Sequence, residues 1–170
     1  MKGVAWMVRR VFFSFYYEGD NWRAAQVRNH WITKPDRESA GYLDKASWEK
    51  LRRRGDVAIK RWINNQLSGT SVTVVLIGPM TYRRRWVRYE IGRTLELGHG
   101  LLGIHIYRLR DRNRRVALKG KNPFDRFSRR DSIGRLRYLS EVIKVYDWVT
   151  DDGYTNFGKW VAAAARQQGL

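Results

Sequence analysis

Glu90 is the side chain around which chemistry can be built. It follows Trp86 by four residues within the stretch 83–95, so on a helix the carboxylate and the indole are neighbours on one face. Val87, Ile91, Thr94 and Leu95 recur at three- and four-residue intervals and form the inward stripe of that helix. Trp86 and Glu90 lie just beside the stripe. Upstream, the β-branched apolar run Val72–Ile77 ends in Gly78-Pro79, the pattern of a strand buried on both faces and followed by a break. The glutamate is thereby held at the core edge, near the carboxyl end of a buried strand, where open α/β sheets bind ligands. A carboxylate there can accept hydrogen bonds from ligand hydroxyls and stabilise a developing cation. In the competing arrangement Trp86 packs as core and Glu90 pairs with Arg93 or Arg88 on a solvated face. Spacing alone favours that second arrangement, because most helix carboxylates are surface groups.

The elements that must position these residues follow in order. Val11-Phe12-Phe13-Ser14-Phe15 reads as a first strand in which Ser14 is the only polar residue. The loop Tyr16–Asp20 follows, and Asp20 is the expected N-cap of a helix through Trp31 with Ala24, Val27 and Trp31 on one stripe. This first loop usually meets phosphates in a doubly wound fold, yet it carries neither G-x-G-x-x-G nor G-x-x-x-x-G-K-[ST]. It also lacks the acidic pair that a phospho-receiver uses to hold magnesium. Residues 33–54 read as a long excursion with a short strand at Gly41-Tyr42-Leu43, from which Asp44 and Trp48 can reach a site or simply anchor the loop. Asp56 is the expected cap of a helix through Leu67 that turns Ile59, Ile63 and Leu67 inward. The strand 72–77, a break at 78–84 and the helix from about Arg85 to Leu97, stopped by Gly98, come next. Leu101–Tyr107 is a third buried strand, Val142–Trp148 a fourth, and a last helix capped near Thr155 runs to Gly169. Strands alternating with helices imply a mostly parallel central sheet with helices on both faces, an α/β three-layer sandwich.

A chain of 170 residues suits one domain, here 1–170, and 43% hydrophobic with 14% aromatic content fits a packed core. There is no cysteine, hence no disulfide framework, zinc-thiolate site or thiol nucleophile. His30, His99 and His105 are scattered and make no metal site. The segment before Arg9-Arg10 is too short for a signal peptide or membrane anchor, so a cytoplasmic protein without membrane association is expected. The formal net charge is +18, which invites a polyanion. Half of that excess sits between Arg108 and Arg137, where twelve basic residues face Asp111, Asp125 and Asp131. This basic excursion, about 108–140, reads as a solvated, loop-rich face outside the pocket rather than a specific nucleic-acid reader.

Several blocks together resemble the TIR-like family of bacterial Thoeris anti-phage systems, the ThsB type. They are Val11–Glu18; Ile59-Lys60-Arg61-Trp62-Ile63 with Gln66-Leu67; Thr70–Gly78; Thr81; Trp86-Val87-x-Tyr89-Glu90-Ile91; Gly98-x-Gly100-Leu101-Leu102-Gly103-Ile104; and Asn122-Pro123-Phe124-Asp125. The resemblance spans about residues 10 to 150. It implies a flavodoxin-like, TIR-like fold and an enzyme that takes NAD as substrate with no cofactor or metal. In TIR enzymes a Trp-x-x-x-Glu element carries the catalytic glutamate, and here it falls on Trp86 and Glu90. Family members make cyclic or conjugated ADP-ribose-derived signals that activate a separate effector protein. The resemblance leaves room for a phage-derived trigger and for a homo-oligomer. The high positive charge departs from the pattern and keeps polyanion binding in view.

The residues suit this chemistry. Breaking the nicotinamide–ribose bond passes through an oxocarbenium-like ribose, as glycoside hydrolysis does, and nicotinamide leaves neutral without needing a general acid. Glu90 can stabilise the cation, Trp86 can stack on the flat cationic ring, and arginines nearby can take the pyrophosphate. Phe15, Tyr16, Tyr17 and Asp44 are the further candidates for holding the dinucleotide. Phe15 and Trp86 are expected to line one cleft that exposes the Glu90 carboxylate. The alternatives are a non-catalytic nucleotide-binding or TIR-type assembly module, and a basic nucleic-acid-binding protein.

Overall fold

The computed structural model describes residues 9–167; the N-terminal segment expected to be no signal peptide and the helix stop at Gly169 lie outside them. Seven strands occur among these residues: β1 (Arg9–Ser14), β2 (Arg37–Ala40), β3 (Val72–Ile77), β4 (Gly100–His105), β5 (Ser128–Arg130), β6 (Leu136–Tyr138) and β7 (Val145–Asp147). The five α-helices are α1 (Tyr17–Trp31), α2 (Lys45–Arg53), α3 (Asp56–Leu67), α4 (Arg85–Leu97) and α5 (Gly153–Arg166). Five strands form one wholly parallel sheet in the order β2-β1-β3-β4-β7. The chain steps outward from β1 to β2 and then returns to β3 on the other side of β1. That reversal puts a topological switch point, where ligands bind in such sheets, at the carboxyl ends of β1 and β3.

Strand alternation assigns the layers. All six residues of β3 are buried, as a central parallel strand covered on both faces requires. Thr73 and Thr94 share a 2.7 Å hydrogen bond, so Thr73, Val75 and Ile77 face α4, and Val87 and Ile91 of α4 pack with Val75 and Ile77. Val72, Val74 and Leu76 face the opposite layer. Within β1, Phe13 pairs in register with Val74 and Ser14 with Val75. Phe13 accordingly meets Phe157 of α5, with ring centroids 6.3 Å apart, while Ser14 turns towards α4. Helix α3 packs beside α4 and buries Ile59, Ile63 and Leu67. Gly98 stops α4 in the left-handed region at φ 69°, a conformation that costs glycine little.

The structure corrects several boundaries. Helix α1 begins at Tyr17 with Tyr16 at its N-cap, so Asp20 lies in the first turn instead of capping it. The strand expected at 41–43 is β2 at Arg37–Ala40, and residues 45–53, read as excursion, form helix α2. Gly55, not Asp56, precedes α3, and Asp152 caps α5 by accepting from the Thr155 amide. The fourth strand is short, Val145–Asp147.

The basic excursion is only partly a solvated face. Leu109, Pro123 and Phe124 are buried, and the Arg23 side chain donates to the carbonyls of Leu109 at 2.7 Å and Arg115 at 2.8 Å. Beyond these anchors, β5 and β6 pair as an exposed antiparallel hairpin.

Candidate active site

Glu90 sits on the inward face of α4 directly beneath the switch point. Only 1% of it is exposed. Its Oε2 accepts a short hydrogen bond from the Ser14 hydroxyl, and its backbone carbonyl accepts from Thr94 Oγ1 at 2.8 Å. Burial pushes its carboxyl up from the ordinary 4.5 to about 8, with the Ser14 hydrogen bond pulling the other way. The surface pairing does not occur: Arg93 pairs with Glu96 and donates to Asn64 Oδ1 at 3.2 Å. A buried acid with one hydroxyl donor and no cation in contact is held in its neutral form near pH 7, and it ionises when positive charge arrives beside it.

Above Glu90 lies a cleft of about 540 Å³. Its aromatic lining comes from Phe15, Tyr16, Tyr17, Trp48 and Trp86, and its cationic lining from Arg52, Arg83, Arg84 and Arg85. Phe15 and Tyr17 are almost wholly buried and touch at 4.3 Å between centroids. Tyr17 stacks on Trp48 at 4.4 Å and 11°, and its hydroxyl donates a short hydrogen bond to the Gly41 carbonyl. Burial first, then the charges of Glu90 and Tyr42, raise the Tyr17 phenol well above its usual value. Trp48 Nε1 donates to Glu18 Oε1 at 2.9 Å.

Phe15, Tyr16, Tyr17 and Trp86 are thus brought together, and Phe15 and Trp86 line one cleft. The Glu90 carboxylate is not open to that cleft: Glu90 is not among the residues that line it and is buried. Asp44 stands apart from it: its carboxylate accepts from the Ser47 amide at 2.7 Å and caps α2. Trp48 joins the cleft from the helix that the sequence pattern hid. Ser14 and the arginines were not singled out individually, yet Ser14 carried a signal as the one polar residue in an apolar strand.

A larger hollow, about 790 Å³, opens between the end of α4 and the β5–β6 hairpin, lined by Leu95, Phe127, Arg129, Arg130, Arg137 and Tyr138 among others. It holds none of the switch-point residues and lies away from Glu90, so its size does not make it the reactive centre. Among the described residues no group of three or more His, Cys, Asp or Glu could hold a metal ion, and no helix is long and apolar enough to cross a membrane.

A parallel sheet of order β2-β1-β3-β4-β7 with a buried glutamate beneath its switch point defines a flavodoxin-like α/β domain of the TIR-like class. The family model "Thoeris protein ThsB, TIR-like domain" matches residues 12–111, more than half of the chain, and the chain belongs to that family. It is 39% identical over 191 aligned residues to a protein of Bacillus cereus (strain MSX-D12) described as "Putative cyclic ADP-D-ribose synthase ThsB1". That alignment covers 91% of this chain and 100% of the relative.

Proposed function

We propose that this chain is an NAD-processing TIR-type enzyme that cleaves the nicotinamide–ribose bond and makes an ADP-ribose-derived signal in anti-phage defence. One observation carries the reading: a buried glutamate, held by Ser14, lies under an aromatic and arginine-rich cleft at the switch point. The printed name of the Bacillus relative agrees with it.

The residues account for each requirement of the reaction. Trp86 and the neighbouring rings take flat groups of the dinucleotide, and the arginines take its charged linker. The cationic nicotinamide, drawn in above Glu90, favours the ionised carboxylate by direct charge interaction. The glycosidic bond then breaks with its electron pair going to nicotinamide, which leaves neutral. Glu90 stabilises the oxocarbenium-like ribose against a low-dielectric background. A hydroxyl, an amine or water adds to the ribose and releases one proton, giving a cyclic or conjugated product or free ADP-ribose. Because Glu90 is buried in this conformation, the side chains that cover it must shift for the ribose to reach it.

The covered carboxylate also favours one other reading, a module that binds a nucleotide without turning it over. Incubating the purified protein with NAD, with and without infected-cell lysate, and following products by mass spectrometry separates the two. Release of nicotinamide with an ADP-ribose-derived product supports the enzyme. Nucleotide binding with no nicotinamide release under either condition supports the module.

A further inference from the structure

Four arginines line the cleft, and their partners distinguish them. Arg52 is spent on carboxylates, at 3.1 Å from Glu49 and 3.6 Å from Glu18. Arg85 is held by both oxygens of Asp56, at 2.7 and 3.1 Å. Arg83 is exposed, and its Nε donates to the Tyr82 hydroxyl at 3.1 Å. Arg84 differs from all three. Among the described residues it forms no ion pair. Its guanidinium lies 3.7 Å above the centroid of the Tyr16 ring, and its Nε is buried with no hydrogen-bond partner.

Stacking uses the face of a guanidinium and leaves its in-plane donors free. A charged group that is fixed, partly buried and short of acceptors is prepared for an anion, because the cost of ordering and drying it has been met in the fold. The platform under it is also built. Tyr16 lies so close against Gly19 that a Cβ there would come within 2.5 Å of Tyr16 Cδ1 and Cε1, so only glycine lets the ring take this place. Asp20 is buried one turn along α1, and the Arg84 charge acts on its carboxyl without ion-pair contact. The first turn of α4, which Arg84 caps, carries no acidic residue to compete.

We propose that Arg84, laid flat on Tyr16, is the diphosphate-binding residue of the cleft and selects dinucleotides and nucleoside diphosphates over nucleosides. This deepens the NAD reading and rests on it for the identity of the natural ligand. It gives Tyr16 a positioning role, carrying the guanidinium rather than the base. Charge-assisted bonds from one arginine to a diphosphate are worth about ten- to a hundredfold in affinity.

The test is calorimetric titration with ADP and with adenosine, on the wild-type protein and on Arg84→Ala, Arg84→Lys and Gly19→Ala, with folding checked by thermal melting. The wild type should bind ADP about ten- to a hundredfold more tightly than adenosine. Arg84→Ala should lose that preference with adenosine affinity unchanged. Arg84→Lys should recover only part of it, because a lysine lacks the planar fork. Gly19→Ala, which displaces a side chain and not backbone, should weaken ADP several-fold by moving Tyr16. Equal affinities for ADP and adenosine in the wild type, or an unchanged preference in Arg84→Ala, overturn the assignment. Nicotinamide release from NAD is measured in parallel. Arg84-dependent ADP binding without release leaves this inference standing and removes the enzymatic reading, and release with Arg84-independent ADP binding does the reverse.

Discussion

Replacing Glu90 by Gln nearly preserves the side-chain volume and removes a proton whose binding is tied to folding. In the folded chain the carboxyl is pushed from 4.5 to about 8, chiefly by burial. In the unfolded chain it titrates near the ordinary value. The folded state has the higher pKa and so binds the proton more tightly. The stability this group contributes is complete below about pH 4.5 and is lost as pH rises through the folded value of about 8. Within that window one proton gives a slope of about 1.4 kcal/mol per pH unit, and the full shift is worth on the order of 4 to 5 kcal/mol. Gln has no such proton. Asp20, raised to about 6 mainly by burial, remains in both proteins, so the difference between them isolates Glu90. Urea unfolding at pH 5, 7 and 9 is the assay. The stability of Glu90→Gln relative to wild type should grow by several kcal/mol from the lowest pH to the highest. Parallel stability curves would refute the reasoning that Glu90 is a buried, neutral acid in the resting fold.

Other consequences can be measured singly. Ser14→Ala removes the donor to Glu90 Oε2, so the ascending limb of the pH profile for nicotinamide release should move up by about one pH unit; an unmoved limb would show that the contact does not tune the acid. At Gly78 a Cβ would fall 2.2 Å from Asp20 Oδ2, and Gly78→Ala should cost about 1 to 3 kcal/mol in urea unfolding, whereas wild-type stability would disprove the close packing. Changing Arg129, Arg130 and Arg137 to Glu on the exposed hairpin should alter solubility and leave NAD turnover within about twofold, since the hairpin lies outside the cleft. Wild-type DNA binding should be weak and lost on adding salt; salt-resistant, sequence-selective binding would overturn the solvated-face account.

What the sequence made legible follows from how locally each feature is determined. Strand β3 and helix α4 were readable because a six-residue apolar run and a three-four stripe each carry their own signal. Strand β2, Arg-Glu-Ser-Ala, has no apolar pattern and exists because β1 pairs with it. Helix α2 buries only Trp48 and Leu51, too little to stand out in nine residues. The hairpin β5–β6 is exposed on all six residues and so shows no alternation. Spacing located Glu90 beside the core stripe but left its direction open. The rotation of α4 against β1 decides it, and the partner that receives Glu90 is Ser14, 76 residues earlier. The selection of Arg84 was beyond reach for the same reason: Glu18 of α1 meets Arg52 of α2, and Asp56 of α3 meets Arg85 of α4, only after those helices have packed.

The central claim is that Glu90 performs the bond cleavage from beneath the cleft. Its most direct test is the rate of nicotinamide release from NAD by wild-type and Glu90→Gln protein at one pH, on samples whose folding has been verified. The account predicts steady release by the wild type and a loss on the order of a hundred- to a thousandfold in the variant, the size expected when a transition-state charge interaction is removed. Equal release by the two proteins would contradict it.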